Sequence, residues 1–447
     1  MAIMLRLMLV LAVVGKWNMK LISKQLGSLM TVLCLLLVIF SSGAAPADLT
    51  TDPVLEWNAI MVMTGGDPVN AANFFQQTRA AAMTQLAVFE AVNAIVGDYE
   101  PYLGTIIAPP GASPEAAVIA AAHHTLVSLY PASEASLNDT RAASLLAIPD
   151  GPAKDDGIAV GEAAAAGILA IRANDGSANA NVPYTPGTEP GDWQPTPPGF
   201  ADALFSGWGQ VATFGIDNGA QFRPKPPPAL RTGKYARDYK EVKAVGDVNS
   251  TVRPQDKADV ARFYGFNLPL TVFNDVTEQV STAQGKTLSE NARILALLSM
   301  AITDGLISSM ESKFYYNLWR PVTAIQAGDT DGNRKTKPDP DWLPLVVTPP
   351  YPSYPSNYAS VAYAARAVLE EVYGKSRHSI TLDSVSPSVD VTLHYTDFSQ
   401  ITDDINDARV FGGIHYRFDQ DAGSRQGWQV GSYIVRHHLR PVHGDRE

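Results

Sequence analysis

Apolar residues recur at three- and four-residue steps over most of this chain, the period of a helix with one buried face. Residues 53–65 and 70–97 carry the pattern, the second through Phe74, Phe75, Met83, Leu86, Phe89 and Val92. A further pair is expected at 114–129 and 132–146, broken at Pro131. The stretch 153–173 is rich in Ala and Gly, which suits a helix lying close against another. The pattern returns at 237–245 and 254–263. It is strongest over 289–313, which Thr287 and Glu290 open as a capping box. Residues 358–373, 397–410 and 420–438 complete the helical set. Between them, 179–228 is crowded with Pro and Gly, which bars long helices there. Trp193, Phe200, Phe205 and Trp208 supply apolar anchors, so this stretch is expected to be an ordered belt rather than a disordered one.

Composition narrows the class. The 447 residues are 46% hydrophobic and 18% charged, enough for one large or two medium domains. Ala-rich segments with few β-branched runs make helix the dominant element. A formal charge of −11 argues against nucleic acid or an anionic membrane as a general partner. Any anion pocket in such a chain must be a local basic island.

The first 47 residues are expected to be an export signal. Lys20 and Lys24 precede an apolar run of twelve residues, Leu29 to Phe40, which ends in Ser42-Gly43-Ala44-Ala45. That run is short for a membrane span, so no stable membrane insertion is expected after cleavage. An earlier run, Met4 to Val14, points to Met19 as an alternative start. The one cysteine, Cys34, lies in the apolar run, so the mature chain needs no disulfide. The implied location is secreted or periplasmic. The expected division is 48–270, an N-terminal helical domain with the belt, and 271–447, a C-terminal helical domain with the chemistry.

Three separated stretches carry that chemistry: KFYYNLWRP (313–321), YPSYPSNYAS (351–360) and RVFGGIHYRFD (409–419). Lys313 and Arg320 are seven apart and share a face if the segment is helical, while Pro321 biases Arg320 out of the helix. Arg409 and His415 straddle Gly412-Gly413, and Asp419 follows His415 by four. Arginine forks suit oxyanions because they donate two parallel bonds in fixed geometry. Taken singly, Lys313 and Arg320 could be surface cations, Ser356 a helix cap and His415 a core histidine. Their joint spacing favours an anion site.

The three stretches resemble the signature shared by vanadium-dependent haloperoxidases and type 2 phosphatidic acid phosphatases. That pattern is Lys, six residues, Arg-Pro; then Pro-Ser-Gly-His; then Arg, five residues, His, three residues, Asp. The first and third parts match throughout, while the middle part is Pro355-Ser356-Asn357-Tyr358. The likeness runs from Gln221 to Gly431, including FRPKPPPAL and WRPVTAI, and is greatest to the soluble, secreted bacterial haloperoxidase branch. It implies an all-α fold of two four-helix bundles with the site in the second. It further implies vanadate, or phosphate in the same place, held by Lys313, Arg320, Ser356, Asn357 and Arg409. His415 would ligate the metal, or attack phosphorus, with Asp419 orienting its ring. Hydrogen peroxide, a halide and an organic substrate would be the small-molecule partners.

Tyr358 stands where the family has a histidine that serves as acid or base. Tyrosine titrates at about 10, so near pH 7 it can donate a proton but hardly accept one. Three readings follow: a haloperoxidase, an acid phosphatase working through phospho-His415, and a non-catalytic oxyanion binder weakened at Tyr358. His394 is a candidate substitute for the missing base. Three other features are expected to carry no ligand: the DTDGN turn at 329–333 and the adjacent pairs His123-His124 and His437-His438. Asp304, inside the long helix, is expected to be a buried, paired structural acid.

Overall fold

A computed structural model describes residues 52–442; the stretch expected to be an export signal, with Cys34, lies outside them. The first helices are α1 (Pro53–Gly66), α2 (Phe74–Val96), α3 (Pro114–Leu129), α4 (Glu134–Leu145) and α5 (Pro152–Arg172). After the belt come α6 (Gly233–Val245), α7 (Gln255–Phe266), α8 (Pro269–Gln284), α9 (Leu288–Tyr316) and α10 (Pro321–Gln326). The last part holds α11 (Asn357–Tyr373), α12 (Phe398–Phe411) and α13 (Arg417–His437). One antiparallel hairpin, β1 (Ser376–Asp383) with β2 (Thr392–Asp397), lies between α11 and α12.

Local chemistry sets the helix starts. Asn73 and Gln76 form a capping box on α2, and Thr287 and Glu290 form the expected one on α9. α9 is the axis of the packing: it touches α2 as well as α11 and α13. Leu295, Leu298, Ile302, Leu306 and Met310 on it are fully buried. Each such side chain stabilises the fold by about 1.5–3 kcal/mol. The helix is long and apolar enough to cross a membrane, yet 94% of its apolar window is buried inside the protein.

Close helix contact is achieved with glycine. A Cβ on Gly427 of α13 would run into the Ser360 carbonyl of α11, and Gly423 and Gly431 meet Ser356 and Ala364 in the same way. Spacing by four keeps the three glycines on one face, so α13 lies directly along α11. Gly157 and Gly161 of α5 likewise face the Ser113 and Ala117 carbonyls, as the composition of 153–173 implied.

The belt is ordered, with Trp193 and Trp208 buried, but Phe200 is 64% exposed and anchors nothing. Its backbone explains its course. Trp193 N–H donates to Asn317 O (2.8 Å) and Trp319 N–H to Gly191 O (2.8 Å), a short antiparallel bridge to the strap that follows α9. Further on, the Phe214, Gly215 and Ile216 N–H groups all donate to the Asp304 carboxylate, at 2.7, 2.7 and 3.0 Å. Asp304 is thus structural, though its partners are backbone donors rather than a cation.

Candidate oxyanion site

Lys313 sits in the last turn of α9, and its ammonium donates to Pro352 O (2.9 Å) and Ser353 O (2.7 Å). The helix does not reach Arg320. Asn317, in the left-handed region (φ 51°), ends it, and Arg320 instead stands as the N-cap of α10. Pro321 thus keeps Arg320 out of the helix as expected, but Lys313 and Arg320 do not share two turns of one helix: the left-handed turn and the bridge to the belt aim the arginine. Its Nε donates to Tyr351 O (2.8 Å) and NH1 to Ile414 O (2.9 Å).

The third stretch turns sharply. Arg409 lies in the last turn of α12, and Gly413, at φ 81°, reverses the chain where other residues would be strained. His415 follows immediately before α13. Its Nδ1 lies 2.8 Å from Asp419 Oδ2, and its Nε2 lies 3.1 Å from Arg320 NH1. The carboxylate partner places the proton on Nδ1 and leaves the Nε2 lone pair toward the arginine. Asp419 also accepts from the Tyr416 N–H (3.1 Å) and from the Ser353 hydroxyl (2.6 Å).

The middle stretch touches all of these groups. Ser356 caps α11, accepting from Ala359 N–H at 3.3 Å, and its own proton remains free to be donated. Asn357 opens the helix in ordinary helical conformation, so the family glycine is not needed for its backbone angles. The Tyr358 hydroxyl donates to the Asn267 carbonyl, and its ring lies under the Arg409 guanidinium, 5.0 Å to the centroid. Burial raises its pKa well above 10, so it is a bound, neutral phenol.

Two residues here escaped the sequence reading. Ser353 holds Asp419, and the Tyr351 ring faces Lys313 and Arg320 at 5.4 and 5.2 Å from its centroid. The signal was visible in the doubled triplet Tyr-Pro-Ser at 351–353 and 354–356. His394 lies exposed on β2, bonded to Thr381, and does not join the site. His123 and His438 bond to Asn138 and the Gly215 carbonyl, and DTDGN is a turn in which Asp331 caps Asn333 N–H.

The electrostatics ask for an anion. Lys313, Arg320 and Asp419 have no exposed surface, His415 is 1% exposed and Arg409 9%. Three cations stand against one carboxylate. Burial, with Arg320, Lys313 and Arg409 adding to it, holds His415 well below its ordinary pKa, so the ring is neutral. Burial and Arg320 depress Lys313 in the same way, and burial lowers Arg320 to about 10. Burial lifts Asp419 to about 6, against the Ser353 hydroxyl and Lys313. A bound anion would reverse each depression of a cation. Among the described residues, Arg320 NH2 and Arg409 Nε are charged donors buried without a partner, and a buried charged donor left unpaired is costly. The donor set therefore fits a tetrahedral oxyanion of about two negative charges.

A family model described as the VCPO second helical-bundle domain matches residues 293–444. The vanadium chloroperoxidase of Curvularia inaequalis is 26% identical over a match covering 33% of this chain and 29% of that protein. The chain thus spans under a third of that curated relative. The crystal structure of the first bacterial vanadium-dependent iodoperoxidase superposes with TM-score 0.73 at 25% identity, covering 87% of this chain and 96% of that one. A holo-type bacterial vanadium-dependent chloroperoxidase gives TM-score 0.68 at 16% identity, over 84% and 95%.

Proposed function

The chain belongs to the vanadium haloperoxidase and type 2 phosphatidic acid phosphatase superfamily, and from that premise we propose that it oxidises halide with hydrogen peroxide on a bound vanadate. The observation that carries the proposal is the pair of buried, unpartnered donors, Arg320 NH2 and Arg409 Nε, beside a neutral His415. Vanadate, when bound, supplies the Lewis acidity that makes hydrogen peroxide an oxidant of halide.

The chain's residues then have separate tasks. Lys313, Arg320 and Arg409 neutralise the oxyanion and hold it in a fixed, water-poor site. Ser356 donates its hydroxyl proton, and the free N–H groups at the start of α11 favour negative charge. His415 offers the Nε2 lone pair, and Asp419 keeps its proton on Nδ1. Ser353 in turn orients Asp419. Tyr358 acts as a platform for Arg409. With no titrating histidine at 358, iodide and bromide are expected to react before chloride, which is harder to oxidise.

The test is direct. The mature chain is assayed for iodide and bromide oxidation and for p-nitrophenyl phosphate hydrolysis, each with and without vanadate. Vanadate-dependent halide oxidation supports the proposal. Phosphatase activity that vanadate inhibits would replace it with the phospho-His415 route. Vanadate binding with neither activity would leave an oxyanion-binding relative.

A further inference from the structure

A second concentration of positive charge lies apart from this site. A cavity of about 1060 Å³ opens between α11, α13 and the end of the belt, and none of Lys313, Arg320, Arg409 or His415 lines it. Five cationic side chains do, in a chain whose formal charge is −11. Two of them are already balanced. Arg223 clamps Glu311 through Nε at 3.0 Å, and Arg366 Nε bonds Glu370 at 2.6 Å. Lys225, Lys375 and Arg425 make no ion pair among the described residues. Three positive charges are therefore left facing the cavity.

The walls add specificity. Arg366 uses NH1 on Thr402 (3.0 Å) and Nε on Glu370, and NH2 makes no hydrogen bond among the described residues. Its guanidinium lies 5.5 Å from the Tyr363 centroid and 5.6 Å from that of Trp428. Trp428 is 38% exposed, whereas Trp57, Trp193, Trp208, Trp319 and Trp342 are buried. The volume suits a small organic molecule. A bare inorganic anion would use the cations and leave both rings bare, and a neutral ring would leave the cations unbalanced.

We infer that this cavity binds an organic anion carrying an aromatic ring, an aryl carboxylate or aryl sulfonate. The acid group meets Arg366 NH2 and the rim cations, while the ring lies against Trp428 and Tyr363. The site is independent of the vanadate reading, because binding needs neither vanadate nor peroxide.

Calorimetry with naphthalene-2-sulfonate on the full mature chain tests this. Naphthalene-2-sulfonamide and inorganic sulfate are expected to bind at least ten-fold more weakly. The double variant Lys375→Glu/Arg425→Glu and the variant Trp428→Ala are each expected to weaken the sulfonate about ten-fold or more. All three side chains are exposed, and circular dichroism checks the fold. Millimolar orthovanadate is expected not to displace the probe. Equal binding of sulfate or of the sulfonamide, or unchanged affinity in the variants, would overturn the inference. So would displacement by vanadate. A heparin hexasaccharide that binds where the aryl sulfonate does not would make this a polyanion surface instead.

Discussion

Arg320 NH1 lies 3.1 Å from His415 Nε2, so the nitrogen offered as a ligand is already engaged by a guanidinium. The same arginine keeps NH2 buried and unpartnered. An arriving oxyanion can satisfy NH2 and draw NH1 off the ring in one step. On the proposed function Arg320 would both guard the histidine and receive the anion.

Anion binding follows from that arrangement. Orthovanadate or phosphate at millimolar concentration is expected to raise Tm by mass action. Lys313→Ala and Arg409→Ala are each expected to weaken the anion at least ten-fold, read by calorimetry. Absence of any Tm change with the wild-type chain would remove the pocket.

Ser353→Ala tests the support behind His415. The hydroxyl donates to Asp419 Oδ2 at 2.6 Å, which fixes the carboxylate that fixes the ring. Outer partners of this kind are worth about 10–100-fold in metal affinity, and a loss in that range is expected for vanadate. Ser356→Ala, one triplet on, is expected to weaken the anion and to fray α11 as well, because it removes the cap. A Ser353→Ala chain with wild-type affinity would show that Asp419 holds its position unaided.

Much of this site was legible because its chemistry depends on spacing. Lys313, Arg320, Arg409, His415 and Asp419 all lie in the structure within one another's fields. Elements whose signals conflicted were not legible. α8 is rich in β-branched residues, Thr271, Val272, Val276, Thr277 and Val280, which blurs a helical period that the buried Phe273 and Val280 nonetheless keep. The hairpin buries Ile380 and Leu382 at the two-residue period of a strand, over too short a run to stand out. Arg320's aim depended on a belt more than a hundred residues away, which no local window contains.

Asp304→Asn addresses that belt. The carboxylate accepts three backbone N–H groups, whereas an amide has one oxygen and would turn N–H toward N–H. A loss of about 2–3 kcal/mol in urea denaturation is expected, the usual range for buried donors left unsatisfied. An unchanged midpoint would mean that the belt is held by Trp193 and Trp208 instead.

A stability slope with pH is expected from His123. Burial lowers its pKa below 6.5, against the Asn138 hydrogen bond. The unfolded ring protonates at about 6.5, so below that pH the unfolded state takes up the proton first. The contribution is whole above pH 6.5 and is lost as pH falls from there toward the folded value. His123→Gln is expected to flatten this part of the slope, with an NMR titration of His123 giving a midpoint below 6.5. A midpoint above 6.5 would reverse the sign.

Tyr358 separates a slowed enzyme from one that works differently. Tyr358→Phe keeps the ring under Arg409 and removes the bond to Asn267. Vanadate affinity is expected to hold within about two-fold, with stability falling by about 1 kcal/mol. Tyr358→His places at the start of α11 a group whose unperturbed pKa is about 6.5, and which burial and Arg409 would move lower still. Iodide or bromide oxidation is then expected to rise by about ten-fold or more, since general acid–base help is worth about 10²–10⁴-fold. Asn357 is no obstacle, because it is already helical, and Asn357→Gly is expected to leave the rate unchanged. Vanadate affinity, measured in parallel, shows whether Arg409 has shifted. If Tyr358→His slows turnover while affinity holds and Tyr358→Phe is equally slow, the phenol itself serves the reaction. The rate would then depend on the Tyr358 phenol and not on a titrating group at that position.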